Sequence, residues 1–267
     1  MNASDNITSW PDPLESAIEG TFIDRVMVLN ETHSTQDAAA RACLGLPQDH
    51  PPTLVVASHQ LMGRGQRASN WYDADGCTLP CSLALGPNHL ALNNPNLAAR
   101  AGLAALDAVK HFIPNQPVAI KWPNDIMVAM EGVGGIQKKI AGVLIEHAAN
   151  SVVIGIGINC TQSKNDFHPD IQDTAVSLHQ LGSQNRRIDL ACELITSLHH
   201  WLVDADETQI RQHWKQHDAL VGSTRKLVHN NQPHTGKVIA INPLNDIRLQ
   251  TTDGEINLPV EQTRLIQ

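Results

Sequence analysis

The sequence is poor in aromatic residues and in positive charge, and it contains no long apolar run. Aromatic residues make up 3% of the 267 residues, so the five tryptophans stand out. Nineteen Lys and Arg against 27 Asp and Glu leave a net charge of −8, which argues against a protein that binds the nucleic-acid backbone through a basic face. No apolar segment reaches the roughly 18 residues of a membrane-spanning helix. We therefore expect neither a DNA-binding protein nor a membrane protein.

The N-terminal residues lack the basic and apolar segments of a secretory signal. The five cysteines are odd in number and include no C-x-x-C pair, which favours reduced cysteines that pack inside a cytoplasmic protein. A hydrophobic content of 42% indicates a globular chain, long enough for one large domain or two unequal domains. These cysteines are Cys43, Cys77, Cys81, Cys160 and Cys192.

Hydrophobic periodicity predicts a mixture of strands and helices up to about residue 218, and a different pattern beyond it. The C-terminal part shows short strands separated by turn residues such as Asn230-Asn231, which indicates a small β domain. Residues 1–20 are polar and predict a flexible lead-in. Predicted strands cover 24–30, 53–58, 78–85, 118–126, 140–146 and 151–159, and predicted helices follow residue 34 and cover 96–112, 188–206 and 207–217.

The most unusual segment is I-K-W-P-N-D-I-M-V-A-M-E-G-V-G-G-I-Q-K-K-I-A-G-V-L-I-E, from Ile120 to Glu146. Its Gly132–Gly135 connection is typical of a hairpin tip. Pro123 cannot donate a hydrogen bond within a sheet, so we expect Lys121 to Asp125 to form a bulged or edge segment that directs side chains into a site. Lys139 then places an ammonium on a rigid element, suited to a phosphate or a carboxylate. Taken alone, the segment is also compatible with an ordinary hairpin and solvated lysines.

A second unusual segment, H-Q-L-M-G-R-G-Q-R-A-S-N-W, joins a buried strand to Trp71. Gly63 and Gly65 can adopt positive φ and let backbone amides approach a ligand closely. Arg64 and Arg67 are suited to phosphates or to an acyl phosphate. A G-R-G triplet by itself would predict only a turn.

Two shorter motifs complete the pattern. Ser34 or Thr35 can cap the helix that follows, with Asp37 in its first turn. The buried strand 151–159 ends in G-I-G-I-N, where the last residue, Asn159, could simply turn the chain.

Together, K-W-P-N-D, K-x-A-G-V-L-x-E, the G-R-G-Q loop, the Ser-Thr pair and G-I-G-I-N resemble the signature of biotin-protein ligases, over about residues 24–267. The resemblance implies an α+β fold, with a mixed-sheet catalytic domain of the biotin/lipoate ligase type over 21–218 and a small SH3-like β-barrel over 219–267. It also implies that ATP and Mg²⁺ activate biotin to biotinyl-5′-AMP. The biotinyl group would then pass to a lysine of a biotin carboxyl carrier domain.

The lead-in is too short for a helix-turn-helix domain, so we expect no repressor role. The sequence leaves open whether the protein is a monomer or a homodimer and which protein accepts the biotin. Lipoate or octanoate ligation remains an alternative, although the Arg-Arg…Gly-Gly-Gly pattern of those ligases is absent. A non-catalytic acyl- or nucleotide-binding module is the other alternative, and it would be expected to lose Lys139 or the loop arginines.

The resemblance assigns roles residue by residue. The expected catalytic residues are Lys139, Arg64 and Asp125, and Asp125 is also a weak candidate ligand for Mg²⁺. The expected biotin-binding residues are Ser34, Thr35, Gln60, Gly63, Arg64, Arg67, Lys139 and Gly142. The expected ATP- and adenylate-binding residues are Arg64, Arg67, Trp71, Lys121, Asn124, Lys139, Gly157 and Asn159.

The chain departs from the family pattern at three places. Gln36 stands where the family usually has Asn. Ala68-Ser69-Asn70 replaces further Gly or Arg, which leaves open how tightly the loop holds the adenylate. Ala175 stands near the position where a Trp stacks on adenine in repressor-type enzymes.

Overall fold

The computed structural model describes residues 6–66, 69–74, 76–94, 96–130 and 137–266. Its helices are α1 Pro11–Ile18, α2 Thr35–Ala42, α3 Leu97–Phe112, α4 Arg187–His199 and α5 Glu207–His217. Its first nine strands are β1 Arg25–Thr32, β2 Thr53–Gln60, β3 Gly63–Arg64, β4 Asn70–Trp71, β5 Thr78–Leu85, β6 Val118–Lys121, β7 Asp125–Ala129, β8 Gln137–Ala148 and β9 Ser151–Asn159. Five further strands follow near the C-terminus: β10 Thr224–His229, β11 Gln232–Asn242, β12 Asp246–Thr251, β13 Gly254–Pro259 and β14 Thr263–Ile266.

A seven-stranded mixed sheet in the order β1-β2-β5-β9-β8-β7-β6 forms the centre of the molecule. Strands β1 and β2 are parallel, and the remaining neighbours are antiparallel. All six predicted strands therefore meet in one sheet, in which 118–126 supplies two of the seven observed strands, and the predicted α+β class with a mixed sheet is confirmed.

The two faces of this sheet are covered differently. Alternate residues of β9, Ile154, Ile156 and Ile158, belong to the large core that also contains α1, α3 and α4. Val153 of the same strand belongs to a small cluster on the opposite face, beneath Ala38 and Ala39 of α2. Because the side chains of a strand alternate between its faces, the glycines at 155 and 157 share the α2 face. Part of that face is left uncovered by side chains, and the cavity described below lies there.

Two predicted elements differ in extent from the observed ones. The predicted strand 118–126 is two strands, β6 and β7, which pair as a hairpin around Trp122, Pro123 and Asn124. The Trp122-Pro123 peptide bond is cis. Strand β6 lies at the edge of the sheet, so the edge position is confirmed, but the segment forms a tight turn rather than a bulge. The predicted helix 188–206 is α-helical only to His199 and continues as one π-helical turn to Asp204. The predicted hairpin tip Gly132–Gly135 lies outside the described residues.

The C-terminal strands form a second, five-stranded antiparallel sheet in the order β13-β12-β11-β10-β14. Its outer strands β13 and β14 do not pair with each other in the described residues, so the expected barrel is an open sheet. The backbone N–H of Ala219 donates to the carbonyl of Ile120 at 3.0 Å, which ties the start of this region to the edge strand of the large sheet. The division at residues 218 and 219 stays a prediction. None of the helices within the described ranges is long and apolar enough to span a membrane.

Candidate active site

A cavity of about 250 Å³ opens on the α2 face of the seven-stranded sheet. Two neighbouring rows of cross-strand partners form its floor. One row, called the Ser82 row, consists of Ser82, Gly155 and Leu144. The other, called the Asp125 row, consists of Pro80, Gly157, Gly142 and Asp125. Along each strand the rows are two residues, or about 6.6 Å, apart.

Glycines leave this floor bare so that other side chains can lie on it. A Cβ on Gly157 would stand 2.5 Å from the Trp71 ring, and one on Gly155 would stand 2.8 Å from Cδ of Gln36. A Cβ on Gly142 would stand 2.9 Å from Nζ of Lys139. A side chain at Gly157 would have to displace the Trp71 ring, whereas at Gly142 and Gly155 it would shift the ends of the Lys139 and Gln36 side chains. None of the three glycines has a positive φ.

Neutral groups cover the Ser82 row. Oε1 of Gln60 accepts hydrogen bonds from the backbone N–H of Thr35 at 2.8 Å and from its hydroxyl at 3.1 Å. The Ser82 hydroxyl donates to Oγ1 of Thr35 at 2.9 Å. Ser34 occupies the N-cap position of α2 as predicted, but its side chain makes no capping bond. The Ser34 hydroxyl is buried and has no hydrogen-bond partner in the described part of the chain.

Gln36 also covers this row, and it connects the row to a charged network. Its Nε2 donates to the carbonyl of Leu144 at 3.4 Å and to Oε2 of Glu146 at 3.2 Å. Glu146 in turn accepts from Nη2 of Arg64 at 2.9 Å. Arg64 holds Asp37 with two hydrogen bonds of 2.9 and 2.8 Å. The pKa of Asp37 is lowered, chiefly by these bonds from Arg64, and the pKa of Arg64 is raised, chiefly by its bonds to Asp37.

Charged groups lie beside the Asp125 row. Nζ of Lys139 stands 2.6 Å from Oδ1 of Asp125 and 5.6 Å from the centre of the Trp71 ring. Lys121 lies opposite Asp125 in the backbone register of the β6–β7 hairpin, and it also lines the cavity. The side chains of Lys139 and Asp125 are 36% and 19% exposed, so water reaches this pair when the cavity holds no ligand.

Two asparagines anchor the framework of the site. The side chain of Asn124 donates to the carbonyl of Val143, and the backbone of Val143 donates back to Asn124 at 3.0 Å. Asn159 donates to the carbonyls of Lys139 and Val176 at 3.3 and 3.1 Å. The side-chain NH2 group of each asparagine therefore donates to backbone carbonyls. Asn124 reaches the cavity wall, whereas Asn159 supports the strand that carries Lys139.

Trp71, in the segment between β2 and β5, lies over the floor against Gly157. Gly63 pairs with Trp71 across the short hairpin of β3 and β4. A Cβ on Gly63 would stand 2.5 Å from Nε2 of Gln60, so Gly63 is needed for close packing. Neither Gly63 nor Gly65 uses the positive φ that is open to glycine. The carboxylate of Asp73 accepts from the backbone N–H of Gln60 at 2.6 Å and so fixes the end of β2.

The structure gathers most of the predicted site residues around one cavity. Gly63 and Asn159 are absent from its lining as far as the described ranges extend, and Arg67 lies outside them. Ala175 forms a backbone bridge with Lys139 and offers no ring, whereas Trp71 supplies an aromatic surface from another direction. The predicted residues that line the cavity are Ser34, Thr35, Gln60, Arg64, Trp71, Lys121, Asn124, Asp125, Lys139, Gly142 and Gly157.

Sequence reasoning missed several residues of the site. Gln36 is absent from the predicted site residues, although its position one residue after the Ser-Thr pair, at the start of an alanine-rich helix, places it against the sheet. Ser82 lies in a strand predicted from its hydrophobicity alone. Leu265 reaches the cavity from β14, and no local pattern in the C-terminal region signals that contact.

Comparisons with solved structures identify the fold. The biotin protein ligase of Aquifex aeolicus, in complex with biotin and ATP, superposes over 92% of this chain and 100% of that one, with a TM-score of 0.74 and 23% identity. The Leishmania major biotin protein ligase in complex with biotinyl-5-AMP superposes over 88% of this chain and 98% of that one, with a TM-score of 0.59 and 22% identity. The fold is thus that of the biotin protein ligases.

Sequence comparisons then give the family. Residues 28–163 match the model of the Biotin/lipoate A/B protein ligase family, and the chain belongs to that family. The Bacillus subtilis bifunctional ligase/repressor BirA is 29% identical over 83% of this chain and 69% of its own length. A biotin--[acetyl-CoA-carboxylase] ligase of Mycobacterium tuberculosis is 35% identical over 58% of this chain. The match spans only 55% of that second relative.

Proposed function

We propose that the protein is a biotin-protein ligase that activates biotin with ATP and transfers it to a lysine of a biotin carboxyl carrier domain. The observation that supports this most is the arrangement of the cavity. Hydrogen-bonding groups of Thr35 and Gln60 line the Ser82 row, and the Lys139–Asp125 pair lines the adjacent row. One row suits the polar ring of biotin, and the other suits its carboxylate together with a phosphate.

In the first step, a carboxylate oxygen of biotin forms a bond to the α-phosphorus of ATP, and the bond to the pyrophosphate oxygen breaks. Negative charge builds up where two anions meet, so a fixed cation lowers the barrier. Lys139 supplies this cation, and Lys121 is a second one on the cavity wall. The guanidinium of Arg64 is bound to Asp37 and Glu146, so its predicted catalytic role requires that those carboxylates release it.

In the second step, the amine of the acceptor lysine forms an amide with the acyl carbon of biotinyl-5′-AMP, and AMP leaves. The attacking amine must be neutral, and we assign the removal of its proton to the carboxylate of Asp125, which lines the cavity. An Asp125→Asn variant supplied with preformed biotinyl-5′-AMP should therefore transfer biotin slowly to a carrier domain. Unchanged transfer by this variant would remove Asp125 from the step.

Mg²⁺ fits this site only in a limited way. Within the described ranges, no three His, Cys, Asp or Glu side chains come together as a metal site. Mg²⁺ often binds through one or two carboxylates together with substrate phosphates and water. Asp125 would hold the ion with the phosphates of ATP, and the ion would neutralise phosphate charge.

The proposed partner is the carrier domain of a biotin-dependent carboxylase, because the names of two relatives specify acetyl-CoA carboxylase. We place the reaction in the cytoplasm. The five cysteines are unpaired, as expected of a reducing compartment.

The experiment that tests the proposal is pyrophosphate release with ATP and Mg²⁺ in the presence of biotin, lipoate or octanoate. Release with biotin alone is the expected result. Release only with lipoate or octanoate would assign the protein to the other branch of its family. No release with any of the three, from protein shown to be folded by circular dichroism, would contradict an activating enzyme.

A further inference from the structure

A buried arginine connects the N-terminal residues to the base of the site. Although residues 1–20 are polar in sequence, the side chains of Trp10 and Leu14 are fully buried and belong to the large core. Arg187, the first residue of α4, is 2% exposed. Its guanidinium carbon lies 5.0 Å from the centre of the Trp10 ring, within the range of a cation–π contact. A charge buried in this way requires hydrogen-bond partners.

Two strands of the large sheet supply these partners. Nη1 of Arg187 donates to the backbone carbonyl of Ser58 at 2.9 Å and to that of Thr78 at 3.2 Å. Its Nη2 donates to the Ser58 hydroxyl at 3.3 Å. Ser58 belongs to β2, and Thr78 is the first residue of β5. One guanidinium therefore joins the two strands.

The guanidinium acts where these strands separate. The pairing of β2 with β5 reaches Val56 and Cys81 at this end. Ser58 and Thr78 lie beyond that pair, at the two ends of the intervening segment 59–77. Arg187 thus fastens the base of segment 59–77 at a point where the sheet ladder has ended.

Segment 59–77 carries one residue to each row of the cavity floor. Gln60 accepts its two hydrogen bonds in the Ser82 row, and the Trp71 ring lies against the Asp125 row. The Lys139–Asp125 pair belongs to β7 and β8 instead. A displacement of the segment would therefore disturb both rows and leave the charged pair in place.

A second anchor at the same base has a different reach. The carboxylate of Asp73 accepts from the backbone N–H of Gln60 at 2.6 Å and from the hydroxyl of Thr78. These contacts tie the segment to itself and to the start of β5. Arg187 ties the base to α4 and, through its contact with Trp10, to the N-terminal residues.

We propose that Arg187 is a positioning residue for the ligase reaction, and that its guanidinium, held against Trp10, sets the placement of segment 59–77 over the cavity floor. This inference rests on the proposed function and adds to it a residue outside the cavity lining. Arginine suits the position because its planar group donates to several acceptors in fixed directions, whereas lysine ends in a single ammonium on a flexible stem. Loss of the guanidinium would remove a donor from two backbone carbonyls in a buried place, which is costly.

The kinetic test compares Arg187→Met with Arg187→Lys and with a matched control, Arg186→Met. The control replaces the preceding residue, whose side chain is 52% exposed and donates to Asp189 at 2.9 Å. In Arg187→Met, the Kd for biotin from calorimetry and the KM for ATP in pyrophosphate release should both rise by about tenfold. The kcat should change by less than about threefold, because the Lys139–Asp125 pair stays in place. Arg187→Lys should recover part of both losses, and Arg186→Met should leave all three values unchanged.

Hydrogen exchange separates a positioning role from a general loss of stability. In Arg187→Met, amide exchange should become faster in peptides that cover 59–66 and 69–74 and stay unchanged over 224–266 in the C-terminal sheet. Equally faster exchange in both regions would overturn the proposal. If Arg187→Met does not fold, Arg187→Lys and Ser58→Ala decide, since each keeps the buried charge or most of its partners. Both variants should then show smaller rises in the same two constants.

The remaining outcomes distinguish this inference from the proposed function. If the unsubstituted protein binds biotin and folded Arg187→Met keeps its Kd and KM, or loses only kcat, the role of Arg187 is wrong and the ligase proposal stands. Unchanged constants in both Arg187→Lys and Ser58→Ala would have the same meaning where Arg187→Met does not fold. If the unsubstituted protein does not bind biotin, with or without ATP, the proposed function fails, and the exchange comparison still tests whether Arg187 places segment 59–77.

Discussion

The two rows of the cavity floor differ in chemistry although they lie side by side on the same strands. The Ser82 row is covered by neutral amides and hydroxyls that are buried and largely paired with one another. The Asp125 row is bordered by a Lys–Asp pair that remains partly exposed. Buried neutral groups discriminate between ligands because an unpaired one is costly. Charged groups close to solvent are better suited to stabilising charge that appears during the reaction.

Both rows depend on bare backbone. Gly155 makes room for Gln36, and Gly157 makes room for Trp71. The same G-I-G-I-N strand therefore positions a polar side chain over one row and an aromatic side chain over the next. Separate disturbance of the two rows should produce separate defects in acid binding and in nucleotide use.

The largest effect is expected from Lys139→Ala. Loss of the only charge paired with Asp125 in the described residues should lower the rate of pyrophosphate release by about 100- to 1000-fold, as for other groups that stabilise a charged transition state. The melting temperature should stay close to that of the unsubstituted protein, since the ammonium is partly exposed. Lys138→Ala is the matched control, and an equal loss with that neighbour would contradict a specific role for Lys139.

The next largest effect is expected from Gln60→Ala. This change removes the acceptor for the N–H of Thr35 and should weaken biotin binding by about tenfold or more. The KM for ATP should change much less, because Gln60 covers only the Ser82 row. Separate titrations would measure the affinity for biotin and the affinity for ATP. An equal loss of affinity for both ligands would indicate that the two rows do not act separately.

Substitution of Gly155 or Gly157 by alanine should give smaller effects, each on a different ligand. Gly155→Ala should displace Gln36 and raise the Kd for biotin, whereas Gly157→Ala should displace Trp71 and raise the KM for ATP. Each change is expected to be about tenfold, from the strain of an added methyl group in a packed site. Steady-state kinetics on both variants would check this, and the same kinetic defect in both would refute the assignment of Trp71 to the nucleotide.

The smallest effect concerns pH. The hydrogen bonds from Arg64 lower the pKa of Asp37 in the folded protein, so the pair stabilises the fold above the ordinary carboxyl pKa of about 4 and loses this contribution as the pH falls through the lower folded value. Both side chains are about 40% exposed, so the contribution is at most about 1 kcal/mol. Urea unfolding of Asp37→Asn and of the unsubstituted protein should give stability curves that converge below about pH 4. A difference that grows at acid pH would have the wrong sign.

Local pattern was sufficient for most strands, and the resemblance carried by the motifs named eleven of the residues that line the cavity. The alternation and length of the apolar runs predicted β5 and β9 with their observed bounds, and α3 begins one residue after the predicted start at residue 96. The same approach treated residues 118–126 as one strand, because a tight turn around Pro123 and an edge bulge produce similar local sequences. It predicted that Ser34 or Thr35 could cap α2; Ser34 occupies the N-cap position, but its hydroxyl makes no capping bond.

In the amino-acid sequence, periodicity by itself determined most of the strands and helices, and the motifs carried the resemblance that implied the fold class, the family and the candidate site residues. Only the tertiary structure decided which of these residues meet. It bound Arg64 to Asp37 and Glu146, committed Asn159 to backbone carbonyls, and left Oε1 of Gln36 without a partner beside the cavity. These outcomes depend on the strand register and on distances between residues as far as 110 positions apart in the chain, and no local pattern specifies them.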